Sequence, residues 1–221
     1  MSNDLLERLN KLDSCAVSDA MDSLGLPGEV TGINNQTTKN KIVGEVLTVK
    51  LGTEKPEGGS PKHLCSSAIE MGKGGNVIVI EQSTGLDAAG WGGVLSNAAQ
   101  HNNIEGVIVE GPARDIDEAA GLEFTVYARG HTARTARGRV FEQSYNTEIT
   151  VGDVKVNQGD LVIADGSAIV FLPADRVKDV IKIAERIVAK EQLMTEAVRS
   201  GTPVGTVMGS NYENMLDDMD K

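Results

Sequence analysis

The chain has few aromatic residues, few cysteines and no long apolar run. Its 221 residues include one Trp, three Tyr and three Phe, so aliphatic side chains must fill most of the core. The two cysteines, Cys15 and Cys65, do not have the spacing of a metal or redox motif, and two thiols make no disulfide framework. No apolar run approaches the length of a membrane span, and the N-terminus lacks the regions of a signal peptide. We therefore expect a cytoplasmic protein that does not associate with membranes.

Basic residues are fewer than acidic residues, so the chain has a negative net charge. There are 21 Lys and Arg against 32 Asp and Glu, which gives a net charge of −11. Sequence-independent binding to nucleic acid depends on Lys and Arg that neutralise phosphates, so we expect no nucleic-acid partner. The length suits one well-buried core and no linker interrupts it, so residues 1–221 are predicted to form one domain.

Amphipathic patterns predict helices at both ends of the chain. N-terminal helices are predicted over about residues 3–25, the second of them beginning near Ser14 and stopped by Gly25. A long C-terminal helix is predicted over about 173–199, because proline suits the first helical position. We expect the tail 209–221 to be frayed or to cross to a partner subunit.

The middle of the chain predicts a βαβ unit. Asn76–Glu81 and Gly106–Glu110 are continuous apolar runs, as expected of strands that are buried on both faces. Between them, Gly92–His101 has the spacing of a helix. Four of its residues are predicted to face inward: Val94, Leu95, Ala98 and Ala99. A helix between two such strands implies parallel strands and a right-handed crossover.

The flanking segments extend this α/β pattern. Lys41–Leu51 predicts a strand and His63–Met71 predicts a helix. A short helix over Ile116–Ala120 leads to a strand with the sequence FTVYAR. From Glu148 onward, short apolar runs separated by glycine-containing turns predict antiparallel strands that return to the sheet.

Two connections of the predicted parallel sheet can carry chemistry, because ligands bind beyond the carboxyl ends of such strands. One is Gln82–Gly93, which ends in GWGG, and the other is Gly111–Asp115. Backbone N–H groups at the start of the following helix favour an anion. Arg114 can contact a carboxylate or an enolate with two hydrogen bonds. Asp115 is a hard oxygen donor suited to Mg²⁺ or Mn²⁺, which would polarise a keto group. The alternatives are a surface ion pair and a tight turn.

Arginines and histidines supply the remaining charged groups of interest. Four arginines occur in ARGHTARTARGR: Arg129, Arg134, Arg137 and Arg139. They can bind a second substrate carboxylate, a neighbouring subunit's acids or RNA, or they belong to a solvated loop; the acidic composition argues against RNA. The three histidines have no spacing typical of zinc ligands, so we interpret them as structural or exposed: His63, His101 and His131.

The spacing around Arg114 and Asp115 resembles a family signature. Gly93 is followed by twenty residues and then by the segment RDIDE, which ends at Glu118. This is similar to the pattern G/D-x20-R-D-x2-E/D of the family that contains RraA, the regulator of ribonuclease activity A, and the 4-hydroxy-4-methyl-2-oxoglutarate/4-carboxy-4-hydroxy-2-oxoadipate aldolases. The likeness continues in order through CAVSDAMDSLG, VYARGHTARTARGRV and GDLVIADGSAIVFLPADR, and so covers most of the chain.

The resemblance implies a fold and an activity. The fold would be a single α/β domain of the β/β/α swivelling-domain type, assembled as homotrimers or homohexamers with active sites between subunits. The activity of the aldolase branch is class II, metal-dependent cleavage of a 4-hydroxy-2-oxo acid to pyruvate, accompanied by oxaloacetate decarboxylation. Other relatives are non-enzymatic regulators that bind a ribonuclease or a helicase. Retention of the Arg-Asp pair favours the enzyme.

The resemblance also implies residue roles. Asp115 would anchor Mg²⁺ or Mn²⁺ largely through waters, and such oxygen donors also accept Co²⁺. Arg114 would neutralise the keto oxygen as it becomes an enolate. Glu191 is the better match for a glutamate that reaches the metal waters from a neighbouring subunit. Backbone amides at the start of one helix would take the substrate carboxylate: Gly92, Gly93, Val94 and Leu95.

One position departs from the aldolase pattern. The aldolases carry an aspartate where this chain has Gly93, and there the carboxylate helps to position a water for proton transfer. Glycine cannot do so. Asp87, Asp117 or Glu118 are the acidic residues that can substitute for it, and spacing alone does not choose among them.

Overall fold

The computed structural model of the protein describes residues 3–58 and 62–209. Its helices in these ranges are α1 (Asn3–Leu9), α2 (Ser14–Ser23), α3 (Ser66–Met71), α4 (Gly93–His101), α5 (Ile116–Gly121), α6 (Val177–Arg199) and α7 (Val204–Val207). None of these described helices combines the length and the apolar character needed to span a bilayer.

Strands make up the centre of the protein. They are β1 (Glu29–Val30), β2 (Asn34–Asn35), β3 (Ile42–Gly52), β4 (Asn76–Glu81), β5 (Gly106–Ala113), β6 (Thr125–His131), β7 (Phe141–Tyr145), β8 (Ile149–Val151), β9 (Val154–Val156), β10 (Leu161–Ala164) and β11 (Ile169–Leu172). Strands β8 and β9 form a separate two-stranded sheet, and the others form one mixed sheet in the order β1-β11-β10-β3-β4-β5-β6-β2, with β7 also paired to β3.

The predicted βαβ unit is confirmed. Strands β4 and β5 are parallel, with Glu81 opposite Glu110, and β3 and β6 continue the parallel core on either side. Because parallel strands end at the same edge of a sheet, the connections that follow β4 and β5 lie next to each other. Strand β3 is long enough to pair with β4 on one side and with both β10 and β7 on the other.

Three layers bury the apolar residues. Helices α3, α4 and α5 cover one face of the parallel core. The β8–β9 hairpin packs against the opposite face through Ile149, Val151, Val154 and Val156. Helices α1, α2 and α6 cover β10 and β11. This β/β/α layering is the predicted fold class. The prediction that antiparallel strands return to the main sheet is confirmed for β10 and β11. Strands β8 and β9 instead form their own sheet.

The terminal helices are confirmed with shifted bounds. The predicted N-terminal helical region contains α1 and α2, and Gly25 adopts φ 63° just after the second helix ends. The C-terminal helix begins at Val177 and not at Pro173, because residues 173–176 form turns before it. It ends at Arg199, as predicted, and α7 follows. Beyond Gly209, the predicted frayed tail lies outside the described residues.

Two details of the predicted helices are wrong. Helix α3 begins at Ser66, three residues later than predicted, because Cys65 adopts a left-handed backbone with φ 66° and interrupts the helix. In α4, Leu95 and Ala99 face inward as predicted, but Val94 is 82 % exposed and Ala98 is exposed. The polar Ser96 takes an inward position instead, because its hydroxyl accepts a hydrogen bond from Trp91 Nε1 at 2.9 Å.

Asp165 joins the start of α2 to the turn between β10 and β11. Its carboxylate accepts hydrogen bonds from the Ser14 N–H at 2.8 Å, the Ser14 hydroxyl at 2.7 Å and the Ser167 N–H at 2.9 Å. Burial by itself raises the pKa of Asp165, but the hydrogen bonds from Ser14, Ser167 and Ala168 together outweigh it, and the pKa lies below its ordinary value. The charged form is therefore the one that stabilises the fold.

We expect Asp165→Asn to lower the free energy of unfolding by about 1–2 kcal/mol near pH 7, because the new NH₂ group faces donors where the carboxylate accepted hydrogen bonds. A lowered native pKa gives stability that is present above the unfolded-state pKa and is lost as pH falls through the native value. The difference between the proteins should therefore shrink toward pH 3. Urea unfolding at both pH values measures it, with the exposed Asp153→Asn as control. An equal difference at both pH values would contradict the assignment.

Candidate functional site

A cavity of about 260 Å³ lies at the carboxyl edge of the parallel strands. This volume is near the lower end for small-molecule sites. The connection after β4, the first turn of α4, the end of β5 and two further loops form its walls. The lining residues are His63, Leu64, Ala89, Gly90, Trp91, Gly92, Gly93, Val94, Leu95, Arg114, Asp115, Thr135, Ala136 and Arg137. The cavity thus brings together the residues that the sequence predicted for catalysis and for substrate binding.

The connection from β4 to α4 is fixed against the end of β5. The Gly90 N–H donates to Pro112 O at 3.0 Å, and the Arg114 N–H donates to Trp91 O at 3.0 Å. Trp91 is buried and stacks on Phe124, with 6.2 Å between ring centroids. The indole therefore serves as a rigid wall of the cavity, and its position is set by packing.

Asp115 links the two connections directly. Its Oδ2 accepts the Gly93 N–H at 2.9 Å, and its Oδ1 accepts Arg114 Nε at 3.2 Å. The residue adopts a left-handed backbone with φ 57°, a conformation that aspartate tolerates better than most residues. The hydrogen bond from Gly93, helped by Arg114, lowers the pKa of Asp115 below its ordinary value, although burial opposes this. Asp115 is therefore a carboxylate at neutral pH.

The first turn of α4 lines the cavity and has backbone donors without partners inside the helix. The first N–H groups of a helix have no partner within the helix, and Gly93, Val94 and Leu95 hold these positions. Asp115 already accepts the Gly93 N–H. Of the amides predicted to take a substrate carboxylate, those of Val94 and Leu95 thus remain available, and this role stays a prediction.

Two glycines make room for the charged groups. A Cβ at Gly92 would lie 2.9 Å from Asp115 Oδ2 and 3.0 Å from Arg114 Cγ. A Cβ at Gly93 would lie 2.5 Å from the carboxylate carbon of Glu118. Asn97 Nδ2 holds this carboxylate through Glu118 Oε1 at 2.8 Å. Glu118 therefore occupies the space that a side chain at position 93 would need.

The donor set fits a hydrated divalent cation. No group of three or more His, Cys, Asp or Glu side chains that could hold a metal occurs in residues 3–58 and 62–209. Mg²⁺ does not need such a group, because it usually keeps several waters and binds one or two carboxylates together with substrate oxygens. The ionised Asp115, with its side chain 35 % exposed, suits this mode of binding.

Other predicted residues lie elsewhere. Glu191 lines a groove between α6 and α7, apart from the two cavities that Asp115 lines in the described part of the chain. Burial and the nearby Asp13 and Asp19 raise its pKa. Its predicted contact with a neighbouring subunit's site stays a prediction. Asp87 pairs with Arg134 at 3.5 Å. Asp117 and Glu118 both line a neighbouring cavity, whose walls also include Arg114 and Asp115.

Two walls of the cavity come from segments that the spacing of the motif does not identify, although Arg137 is one of the four arginines predicted as candidates for a second substrate carboxylate. His63 and Leu64 enter the wall from the segment before α3, and Thr135–Arg137 enter from the loop after β6. These segments are distant from the motif along the chain, so spacing could not connect them with it. His63 is exposed, which agrees with the prediction, and it also borders the cavity.

The layered sheet is that of an α/β protein of the β/β/α swivelling type, and the Arg-Asp pair lies at the carboxyl edge of this sheet. The sequence model of the RraA-like family, described as Aldolase/RraA, matches residues 14–171. The chain therefore belongs to the RraA-like family.

Individual relatives include proteins with assigned names. Protein DlpA of Legionella pneumophila is 29 % identical over 90 % of this chain, which spans 32 % of that longer protein. A Halalkalibacterium halodurans protein named "Putative 4-hydroxy-4-methyl-2-oxoglutarate aldolase" is 24 % identical over 88 % of this chain and 89 % of its own length. A protein of the same name from Alcanivorax borkumensis is 32 % identical over 65 % of this chain and 86 % of its own.

Solved structures share the fold. An uncharacterised protein from Pseudomonas syringae has a TM-score of 0.85 at 27 % identity, covering 95 % of this chain and 98 % of its own. RraAS2 of Streptomyces coelicolor, described as an unusual member of the RNase ES inhibitor RraA protein family, has a TM-score of 0.79 at 20 % identity. It covers 87 % of this chain and 96 % of its own. Its identity is too low to carry more than the fold.

We expect Asp115→Ala to lower the free energy of unfolding by about 0.5–2 kcal/mol, because Asp115 caps the N-terminus of α4 in place of the side chain that Gly92 lacks. Asp115→Asn should cost less, since it keeps an acceptor and tolerates the left-handed backbone. Urea unfolding followed by fluorescence of Trp91, the one tryptophan of the chain, measures both. Asp117→Ala, at an exposed neighbouring position, is the control. Equal stability of Asp115→Ala and the control would contradict the capping role.

Proposed function

We propose that this protein is a divalent-metal-dependent lyase that cleaves 4-hydroxy-2-oxo acids of the 4-hydroxy-4-methyl-2-oxoglutarate type to pyruvate and also decarboxylates oxaloacetate. One observation carries the proposal: an ionised carboxylate, a guanidinium and the donor-rich start of α4 meet at one cavity. These groups match the charges of a pyruvyl unit that becomes an enolate. The names of the aldolase relatives from Halalkalibacterium and Alcanivorax agree with this chemistry.

The pyruvyl unit is oriented by its carboxylate and its keto oxygen. The carboxylate accepts the N–H groups of Val94 and Leu95, where the helix dipole favours an anion. Arg114 uses Nε to hold Asp115, so its two terminal nitrogens are available for the keto oxygen. As the C3–C4 bond breaks and its electron pair moves toward the keto oxygen, the guanidinium stabilises the growing negative charge.

Glu118 supplies the proton transfer for which the aldolases use an aspartate at the position of Gly93. Its carboxylate lies over Gly93 and is fixed by Asn97. Acting through a water, it accepts the proton of the C4 hydroxyl as the carbonyl product forms, and it returns a proton to C3 to give pyruvate. In decarboxylation only the second transfer is needed, because CO₂ leaves without a proton.

Asp115 would hold the cation, either Mg²⁺, Mn²⁺ or Co²⁺, and the bound ion would lower the energy of the enolate by withdrawing charge from the keto oxygen. A site with one carboxylate and many waters is open on one side. We therefore propose a homotrimer or homohexamer in which a neighbouring chain closes the site, with Glu191 as the residue that reaches it.

We expect the purified protein to release pyruvate from oxaloacetate and from 4-hydroxy-4-methyl-2-oxoglutarate with Mg²⁺ or Mn²⁺, and EDTA should abolish this turnover. Arg114→Ala should lower kcat by about 10²–10³-fold, as expected for loss of an oxyanion-stabilising group. Asp115→Asn should raise the metal concentration needed for half-maximal activity. Asp117→Asn is the matched control. Absence of turnover with every 2-oxo acid, together with tight binding to a ribonuclease, would indicate the non-enzymatic regulator instead.

We expect Glu118→Gln to lower kcat by about 10²-fold with little change in KM, because the amide keeps the hydrogen bond from Asn97 but cannot carry a proton. Gly93→Asp alone should disturb the site, since Glu118 fills that space. The double variant Gly93→Asp/Glu118→Ala should be more active than Glu118→Ala. Exchange of the pyruvate methyl protons in D₂O, followed by NMR, measures the transfer separately from cleavage. Equal exchange rates in Glu118→Gln and the parent protein would exclude Glu118.

A further inference from the structure

The four arginines of the segment ARGHTARTARGR have different environments. Arg129 forms two hydrogen bonds to the Glu110 carboxylate, at 3.1 and 3.0 Å, and one to Thr31 O at 2.7 Å. Arg134 pairs with Asp87, and Arg139 Nη1 donates to Thr135 O at 3.1 Å. Each of these three guanidinium groups therefore has a partner within the chain. Among the residues that the structure describes, the guanidinium of Arg137 has no such partner.

Arg137 borders the proposed active site. It lines the cavity that contains Arg114 and Asp115, and it also lines an adjoining cavity of about 240 Å³ that extends toward Glu142. The two cavities share one wall: His63, Leu64, Thr135, Ala136 and Arg137. A ligand that is anchored at the start of α4 and is longer than pyruvate would extend along this wall.

The backbone around Arg137 is fixed relative to α4. The Ala89 N–H, just before the GWGG segment, donates to Arg134 O at 2.9 Å, and Ala89 also bridges to Thr135. The Arg137 N–H donates to the Thr135 hydroxyl at 3.2 Å. Ala136 is buried. The loop is thus attached to the same connection that forms the first cavity, so the backbone of Arg137 is fixed beside the site, and its side chain is exposed.

The charges of the shared wall favour an anion. Arg137 and His63 are the two basic side chains on it, and His63 Nδ1 contacts Leu64 O at 3.0 Å, which leaves Nε2 unused. Glu142 is the acidic group nearby, but its Oε2 accepts the Cys65 N–H at 2.6 Å and it lines only the second cavity. In a chain of charge −11, an arginine without an acidic partner beside a cavity is suited to a carboxylate.

We propose that Arg137, with His63 beside it, binds the second carboxylate of the substrate, so that the enzyme selects dicarboxylic 2-oxo acids over monocarboxylic ones. This assignment rests on the proposed function, because it assumes that the 2-oxo acid end lies at Arg114 and the start of α4. The loop after β6, which lies outside the motif that runs from Gly93 to Glu118, would then contribute to substrate specificity.

The test compares two five-carbon ligands that differ in one carboxylate, 2-oxoglutarate and 2-oxopentanoate, by titration calorimetry with Mg²⁺ present. We expect the protein to bind 2-oxoglutarate at least about tenfold more tightly, since a charge-assisted hydrogen bond corresponds to a tenfold effect or more. Arg137→Ala should remove this preference, Arg137→Lys should retain part of it, and the control Arg134→Ala should keep it. With oxaloacetate, Arg137→Ala should raise KM about tenfold or more, with a smaller effect on kcat.

Two results would overturn the assignment. One is equal affinity of the parent protein for 2-oxoglutarate and 2-oxopentanoate. The other is an unchanged preference for 2-oxoglutarate in Arg137→Ala; if light scattering also shows a changed molecular mass of this variant, then Arg137 pairs with an acid of a second copy of the chain. If the parent protein fails to release pyruvate from oxaloacetate but prefers 2-oxoglutarate, then the lyase proposal fails while the role of Arg137 in binding stands.

Discussion

The hydrogen bond from the Gly93 N–H to Asp115 connects the two parts on which the site depends. Asp115 follows β5 and Gly93 begins α4, so this bond sets the start of the helix against the end of the neighbouring strand. It also holds Asp115 in the ionised form and turns the other carboxylate oxygen toward Arg114. Together with the backbone hydrogen bonds from Gly90 to Pro112 and from Arg114 to Trp91, this contact defines the relative positions of the first turn of α4, the guanidinium and the acidic oxygen.

This arrangement accounts for both glycines before α4. A side chain at Gly92 would meet Asp115 and Arg114, and a side chain at Gly93 would meet Glu118. The space beside Gly93 is occupied by the carboxylate of Glu118 from α5, so a side chain at position 93 would require Glu118 to move.

The charged residues of the chain divide into those that hold the fold and those that face the cavities. Arg129 with Glu110, and Asp165 with Ser14, join distant segments through several hydrogen bonds each. Arg114 and Arg137 lie at cavity walls. In an acidic protein most arginines find a carboxylate within the chain, so the contacts of an arginine, rather than its place in a basic segment, indicate whether it is available to a ligand.

The sequence by itself determined the βαβ core, the terminal helices and the Arg-Asp motif, because buried strands, amphipathic helices and glycine turns leave local patterns. It did not reveal that α3 begins after Cys65, that α6 begins after Pro173, or that Val94 faces solvent, since these depend on backbone angles and on packing. Only the tertiary structure showed that the Glu118 carboxylate lies against Gly93 and that His63 and Arg137 line the cavity. These contacts join residues that lie apart in the chain, so they depend on how the layers pack.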